Sequence, residues 1–210
     1  MTKIKICGIT NKVDALSASD LGVDMLGFVF YKKSKRYVTP ALAEDIINEL
    51  PPFIGRVGVF VDEKREDVFR IAEDAGLDIL QFHGNETPEY CGSFRPDYKV
   101  IKAFRVQKRS DLKNVNDYDT DYYLFDTYDS GRAGGTGKKF DWAILKDFEI
   151  LKPMILSGGL KPDNVENVIK ELAPFAVDVS SGVESAPGKK DIALLKKFVA
   201  NARKGLSNVT

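Results

Sequence analysis

Cysteine and histidine are nearly missing from this chain. Cys7 and Cys91 stand 84 residues apart, and His83 is the one histidine in 210 residues. No Cys/His pair has the spacing that zinc sites use, so no metal is expected. A disulfide framework has equally little to stand on, and the thiols are expected to be reduced. Net charge is missing too: 31 Lys and Arg balance 31 Asp and Glu. Without a long run of one sign, the chain lacks the field of a nucleic-acid or membrane-surface binder, and neither is expected as a partner. Any anion it holds must be gripped locally. No apolar run approaches the ~20 residues of a membrane span. The N-terminus shows no basic n-region, longer apolar stretch or small-residue cleavage site, which makes a cytoplasmic location the expectation.

The remaining composition, 43% hydrophobic and 30% charged, can bury a core beneath a solvated surface. Against a typical domain of about 150 residues, the length predicts one domain. Eight short apolar, β-branched segments read as buried parallel strands: 3–7, 25–30, 56–61, 79–82, 99–104, 122–126, 154–157 and 176–180. Helical patterns lie between them. EKREDVFRIAEDAG (63–76) places Val68, Ile71, Ala72 and Ala75 on one face, and DIALLKKFVANAR (191–203) does the same for Ile192, Leu195 and Val199. Helix starts are marked by Asn11, by Thr39 before Pro40, by Thr87 before Pro88 and by Lys161-Pro162-Asp163, and stops by Gly22 and Gly76. Strand alternates with helix throughout.

Eight units of about 26 residues predict an α/β fold, a single (β/α)8 TIM barrel over residues 1–205, followed by a tail at 206–210. Strand starts are separated by 22, 31 and 23 residues in the first half and by 23, 32 and 22 in the second, as two half-barrels of similar plan would be. An open doubly wound sheet is the alternative. It normally has fewer strands, and no GxGxxG follows the first one.

Such a barrel builds its active site at the C-terminal ends of the strands. Reading those ends gives Cys7-Gly8, the loop Tyr31 to Arg36, Asp62, Gln81 to His83, Arg105, Asp126, Ser157-Gly158-Gly159 and Asp178 to Gly182. A thiol, carboxylates, arginines and glycine turns suit proton transfer on an anionic substrate better than metal binding or hydride transfer. Cys7 is a base or nucleophile, or else a small buried hydrophobe; a base role requires a cationic or dipolar neighbour. Asp126 arrives on a strand, a rigid placement that suits a catalyst, although a structural carboxylate bonded to the turn at Thr127 would look the same. Strand alternation leaves the direction of Asp178 open. Glycine turns after strands seven and eight, SGG (157–159) and SSGVES (180–185), can cradle phosphate on free backbone N–H groups. The loop GGTG (134–137) can close over the same ligand. Arg36 sits in a basic cluster that is either a solvated face or a carboxylate anchor. His83 reads as a wall of the pocket.

Several motifs together resemble one family: KICGIT (5–10), GFVFYKKSKRYV (27–38), RVGVFVDE (56–63), QFHGNE (81–86), GGTGKKFDW (134–142), LSGGLKPDNV (156–165) and AVDVSSGVESAPGKKD (176–191) are similar to phosphoribosylanthranilate isomerases from the first strand to the last helix. The resemblance implies a cofactor-free (β/α)8 barrel that performs an Amadori rearrangement in tryptophan biosynthesis. N-(5-phosphoribosyl)anthranilate becomes 1-(2-carboxyphenylamino)-1-deoxyribulose 5-phosphate. Motif by motif it implies Cys7 as general base, Asp126 as general acid and Arg36 on the anthranilate carboxylate. Phosphate falls to Gly135, Thr136 and Gly137, to Gly158 and Gly159, and to Ser180, Ser181 and Gly182. From the strand ends rather than the resemblance, His83 and Asp178 are added as candidate substrate contacts, with a structural role the alternative for Asp178. The chain departs from the family pattern at Phe82, where Leu is more usual, in the 128–133 loop and in the tail LSNVT.

The partner expected is a small phosphorylated substrate, with the protein a monomer or a homodimer. Two other readings compete. A related aminoimidazole-carboxamide ribotide isomerase barrel uses aspartates as acid and base, against which Cys7 speaks. A catalytically silent barrel that binds a phosphorylated metabolite is disfavoured by the presence of both Cys7 and Asp126.

Overall fold

The computed structural model describes residues 2–126, 142–146 and 148–206. Eight parallel strands close into a barrel in sequence order: β1 (Lys3–Cys7), β2 (Met25–Val29), β3 (Gly55–Phe60), β4 (Ile79–Phe82), β5 (Lys99–Arg105), β6 (Tyr122–Asp126), β7 (Met154–Ser157) and β8 (Ala176–Val179), with β8 pairing back onto β1. Helices α1 (Lys12–Asp20), α2 (Pro40–Ile47), α3 (Arg65–Ala75), α4 (Pro88–Gly92), α5 (Val165–Leu172) and α6 (Ile192–Leu206) connect them. A two-stranded hairpin, β9 (Glu184–Ala186) and β10 (Lys189–Lys190), follows β8.

Local chemistry accounts for most helix ends. Asn11 Oδ1 accepts from the Asp14 amide at 2.9 Å, Thr39 Oγ1 from Leu42 at 3.2 Å and Thr87 Oγ1 from Tyr90 at 3.2 Å, each satisfying an amide that the first turn leaves orphaned. Pro40 and Pro88 open their helices where a missing N–H costs nothing. Gly76 closes α3 in the left-handed region, φ 65°. On α3 the buried residues are Val68, Ile71, Ala72 and Ala75, the face that the periodicity predicts. On α6, Leu195 and Val199 are buried with Phe198 and Ala202, while Ile192 is only half-buried.

Two expectations need correction. Strand does not alternate with helix throughout: β5 and β6 are joined by two 3-10 turns, Arg109–Leu112 and Val115–Asp117. The start expected at Lys161-Pro162-Asp163 falls later, at Val165. Asn164 Oδ1 accepts from the Lys161 amide at 2.7 Å and its Nδ2 donates to the Gly159 carbonyl at 2.9 Å, which holds 161–164 as a turn. Residues 207–210 of the expected tail lie outside the described residues, and Leu206 is the last residue of α6.

Strand alternation sorts side chains into two cores. Outside the strands, Ile4, Ile6, Leu26, Phe28, Phe60, Leu80 and Phe82 pack beneath the helices. Inside the barrel, Met25, Val57, Ile101, Ala103, Leu124, Ile155 and Ala176 form a separate apolar layer. Phe82 belongs to the outer core, with ring centroids 5.0 Å from Phe94 and 5.3 Å from Tyr90. This family departure therefore faces away from the barrel mouth. No helix among the described residues is long and apolar enough to cross a membrane.

Candidate active site

Above the apolar layer the inward positions turn polar. In KIKIC, Ile4 and Ile6 join the outer core, so alternation sends Lys5 and Cys7 into the barrel. Cys7 is opposite Gly27 of β2. A Cβ at Gly27 would stand 2.8 Å from the Cys7 Sγ and 3.2 Å from the Lys5 Nζ, so only glycine leaves room for both. Gly8, at φ 77°, then turns the chain away from the mouth.

Lys5 is wholly buried and donates to Asp178 Oδ1 at 3.0 Å, while Ser157 Oγ donates to Asp178 Oδ2 at 3.2 Å. This settles the direction of Asp178: it points inward, from β8 to β1 and β7. Burial works against the Lys5 charge, but Asp178 and then Cys7 hold its proton, and Lys5 lies above its ordinary value. Burial pushes the Cys7 thiol up. The Lys5 ammonium pulls against that shift, Asp178 adds to it, and Lys190 opposes it again.

On the other side, His83 follows β4 and Asp126 ends β6. His83 Nε2 lies 3.1 Å from Asp126 Oδ2, and Gln81 Nε2 lies 3.1 Å from His83 Nδ1. The two contacts, one at each ring nitrogen, fix the plane of the imidazole. His83 thus orients Asp126. Asp62 and Glu86 hold the loop that carries His83: Glu86 accepts from the amides of Asp62 and Gly84, and Asp62 from that of Asn85. Lys102 neutralises Glu86 at 2.7 Å, with both side chains buried. Asp62, a strand-end candidate, is therefore bound up in this loop.

After β7, Gly158 and Gly159 both take left-handed backbone, φ 78° and 67°, conformations that side chains other than glycine rarely adopt. After β8, Ser181 to Val183 form one 3-10 turn, and the buried Ser180 Oγ has no hydrogen-bond partner among the described residues. An orphaned hydroxyl between glycine turns suits an anion that would accept from it. Gly135, Thr136 and Gly137 lie outside the described residues.

Arg36 reaches the same rim. Its Nε and Nη2 donate to Glu184 Oε1 and Oε2 at 2.8 and 2.6 Å, a bidentate pair that fixes the plane of the guanidinium. Lys190 completes the cluster. Its Nζ, fully buried, donates to the Cys7 carbonyl at 2.6 Å, to Glu184 Oε1 at 3.0 Å and to the Ser180 carbonyl at 3.3 Å. Burial works to raise Glu184, but Arg36 and Lys190 more than offset it and hold the carboxyl below its ordinary value.

Lys5, Glu184 and Lys190 escaped the reading of strand ends. Lys5 had a usable signal, since alternation puts the residue two before Cys7 on the same face. Glu184 and Lys190 had none: they lie in a loop whose hairpin brings them home only through tertiary contacts.

The family model described as N-(5'phosphoribosyl)anthranilate (PRA) isomerase matches residues 4–201. The N-(5'-phosphoribosyl)anthranilate isomerase of Geobacter sp. (strain M21) is 50% identical, covering 97% of this chain and 99% of that protein. That of Thermotoga neapolitana is 49% identical over the same shares. The crystal structure of phosphoribosyl anthranilate isomerase from Thermotoga maritima superposes with a TM-score of 0.87 at 45% identity, covering 97% of this chain and 99% of that one. A phosphoribosyl anthranilate isomerase solved in complex with reduced 1-(o-carboxyphenylamino)-1-deoxyribulose 5-phosphate gives 0.85 at 43% identity, with the same coverage.

Proposed function

The chain belongs to the N-(5'-phosphoribosyl)anthranilate isomerase family, and from that premise we propose that Cys7 and Asp126 are the base and acid of its reaction. It is an isomerase of tryptophan biosynthesis that converts N-(5-phosphoribosyl)anthranilate to 1-(2-carboxyphenylamino)-1-deoxyribulose 5-phosphate. The observation that carries the residue assignment is the pairing at the mouth. A thiol ends β1 and a histidine-oriented carboxyl ends β6, at the same end of the barrel on well-separated strands.

Asp126 gives a proton to the ribose ring oxygen as the C1′–O bond breaks, which leaves an iminium. Cys7 takes the C2′ proton, and the resulting enamine tautomerises to the ketone. The substrate loses one proton and gains one, so no cofactor is called upon. Arg36, held planar by Glu184, binds the anthranilate carboxylate. Gly158, Gly159 and the turn from Ser180 to Gly182 take the phosphate, joined by Gly135, Thr136 and Gly137. Anchors at both ends fix the ribose between acid and base, and remote binding energy is spent on orientation. Asp178, held by Lys5 and Ser157 inside the barrel, is a further substrate contact.

Mixing the purified protein with N-(5-phosphoribosyl)anthranilate tests the activity. Loss of anthranilate fluorescence well above the spontaneous rate is expected. A rate no different from buffer would overturn it.

A further inference from the structure

The layer that holds Lys5 is one that barrels normally fill with branched apolar side chains. An ammonium placed there is expensive to desolvate, and replacing a buried pair such as Lys5–Asp178 with hydrophobic residues often costs no stability. Packing alone therefore does not account for Lys5. Its surroundings do: one donor goes to Asp178 at 3.0 Å, and the same Nζ crowds the Gly27 surface that Cys7 Sγ occupies.

We infer that Lys5 is the positioning residue that keeps Cys7 ready to accept a proton, its ammonium serving as counter-charge to the thiolate, and that Asp178 limits how much of that charge the sulfur feels. The inference rests on the base role proposed for Cys7. Burial disfavours a thiolate at Cys7, so one forms there only so far as cations offset burial. Among the described residues, three charged side chains act on the sulfur. Lys5 comes from its own strand, Asp178 from β8 and Lys190 from β10, while Gly27 of β2 brings no charge. Lys190 is committed to two carbonyls and Glu184. Lys5 shares the Cys7 strand, and its Nζ and the sulfur lie against the same Gly27 backbone.

The inference makes opposite predictions for two neighbours in one ion pair. Thiolate absorbance, recorded against pH in a Cys91→Ala background and corrected by subtracting the Cys7→Ser protein, reads the ionisation of Cys7 directly. Lys5→Met is expected to move that titration up by about 1–3 pH units, the usual effect of losing a close opposite charge. Asp178→Asn is expected to move it down. A structural role would move both alike or neither. An unmoved titration in Lys5→Met, or an upward move in Asp178→Asn, overturns the inference; if Lys5→Met fails to fold, the Asp178→Asn titration decides alone. Turnover is scored separately. A shifted titration with turnover intact would uphold the Lys5–Cys7 coupling and remove Cys7 from the mechanism. An unshifted titration with turnover lost would overturn the coupling and leave the base role standing.

Discussion

The two sides of the barrel mouth are built differently. At the β1 side Cys7 is 8% exposed and lies among Lys5, Asp178 and Lys190, all buried, so its chemistry is set by charges held in a dry site. At the β6 side the side chains of Asp126 and His83 are 17% and 19% exposed, and the Asp126 carboxyl is oriented by one ring nitrogen of His83, whose other ring nitrogen meets the neutral Gln81 amide. A thiol proposed as a base must be held ionised against burial, which requires fixed cations. A carboxyl must pick up a proton each turnover, which requires access to water and a partner that directs one oxygen.

Breaking the acid side should cost most. Asp126→Asn keeps the shape but cannot deliver a proton, so turnover should fall by about 10⁴-fold, the upper end of what a positioned acid contributes, while affinity for a product analogue stays nearly level. A variant that is less stable but normally active would assign Asp126 to structure instead.

The base side is expected to be somewhat more tolerant. Cys7→Ser removes little volume and should fold and bind, yet lose at least about a hundredfold in turnover, because a hydroxyl is far less acidic than a thiol. Turnover within about threefold of wild type at saturating substrate, across about pH 6–9 where the unperturbed thiol near 8.5 begins to ionise, would withdraw Cys7 from the mechanism.

Arg36→Met separates the rim from both. Ligands with the anthranilate carboxylate should bind more weakly by about 2 kcal/mol, the lower end for a charge pair, since the Arg36 side chain keeps 26% exposure. Analogues without the carboxylate should bind as before. Equal losses in isothermal titration would refute the carboxylate assignment.

The smallest effect belongs to the outer core. Phe82→Leu is expected to cost under about 1.5 kcal/mol in urea unfolding and to leave kcat/KM unchanged, since the ring packs on Phe94 and Tyr90 beneath the helices. A change in kcat/KM larger than the change in stability would tie this position to the mouth after all.

Strand order, the closed barrel and the caps at Asn11, Thr39 and Thr87 were legible in the sequence, because each rests on local physics. Short apolar runs rich in β-branched residues specify buried parallel strands, and a polar oxygen at a helix start meets an amide three residues on. The missing helix between β5 and β6 was less legible, since two 3-10 turns leave no long apolar period. Cys7 and Asp126 stood out because the barrel tells in advance which end of each strand carries chemistry.

What surrounds them could not be read that way. Lys5 meets Asp178 across 173 residues, Arg36 meets Glu184 across 148, and Lys190 reaches the Cys7 carbonyl across 183. The barrel and the strand ends at which reactive groups stand follow from residue order, since apolar runs and caps act within a few residues. The charges around those groups come from closure of the fold, because an ammonium's effect on a thiol depends on distance and burial, and both arise only when β8 closes onto β1.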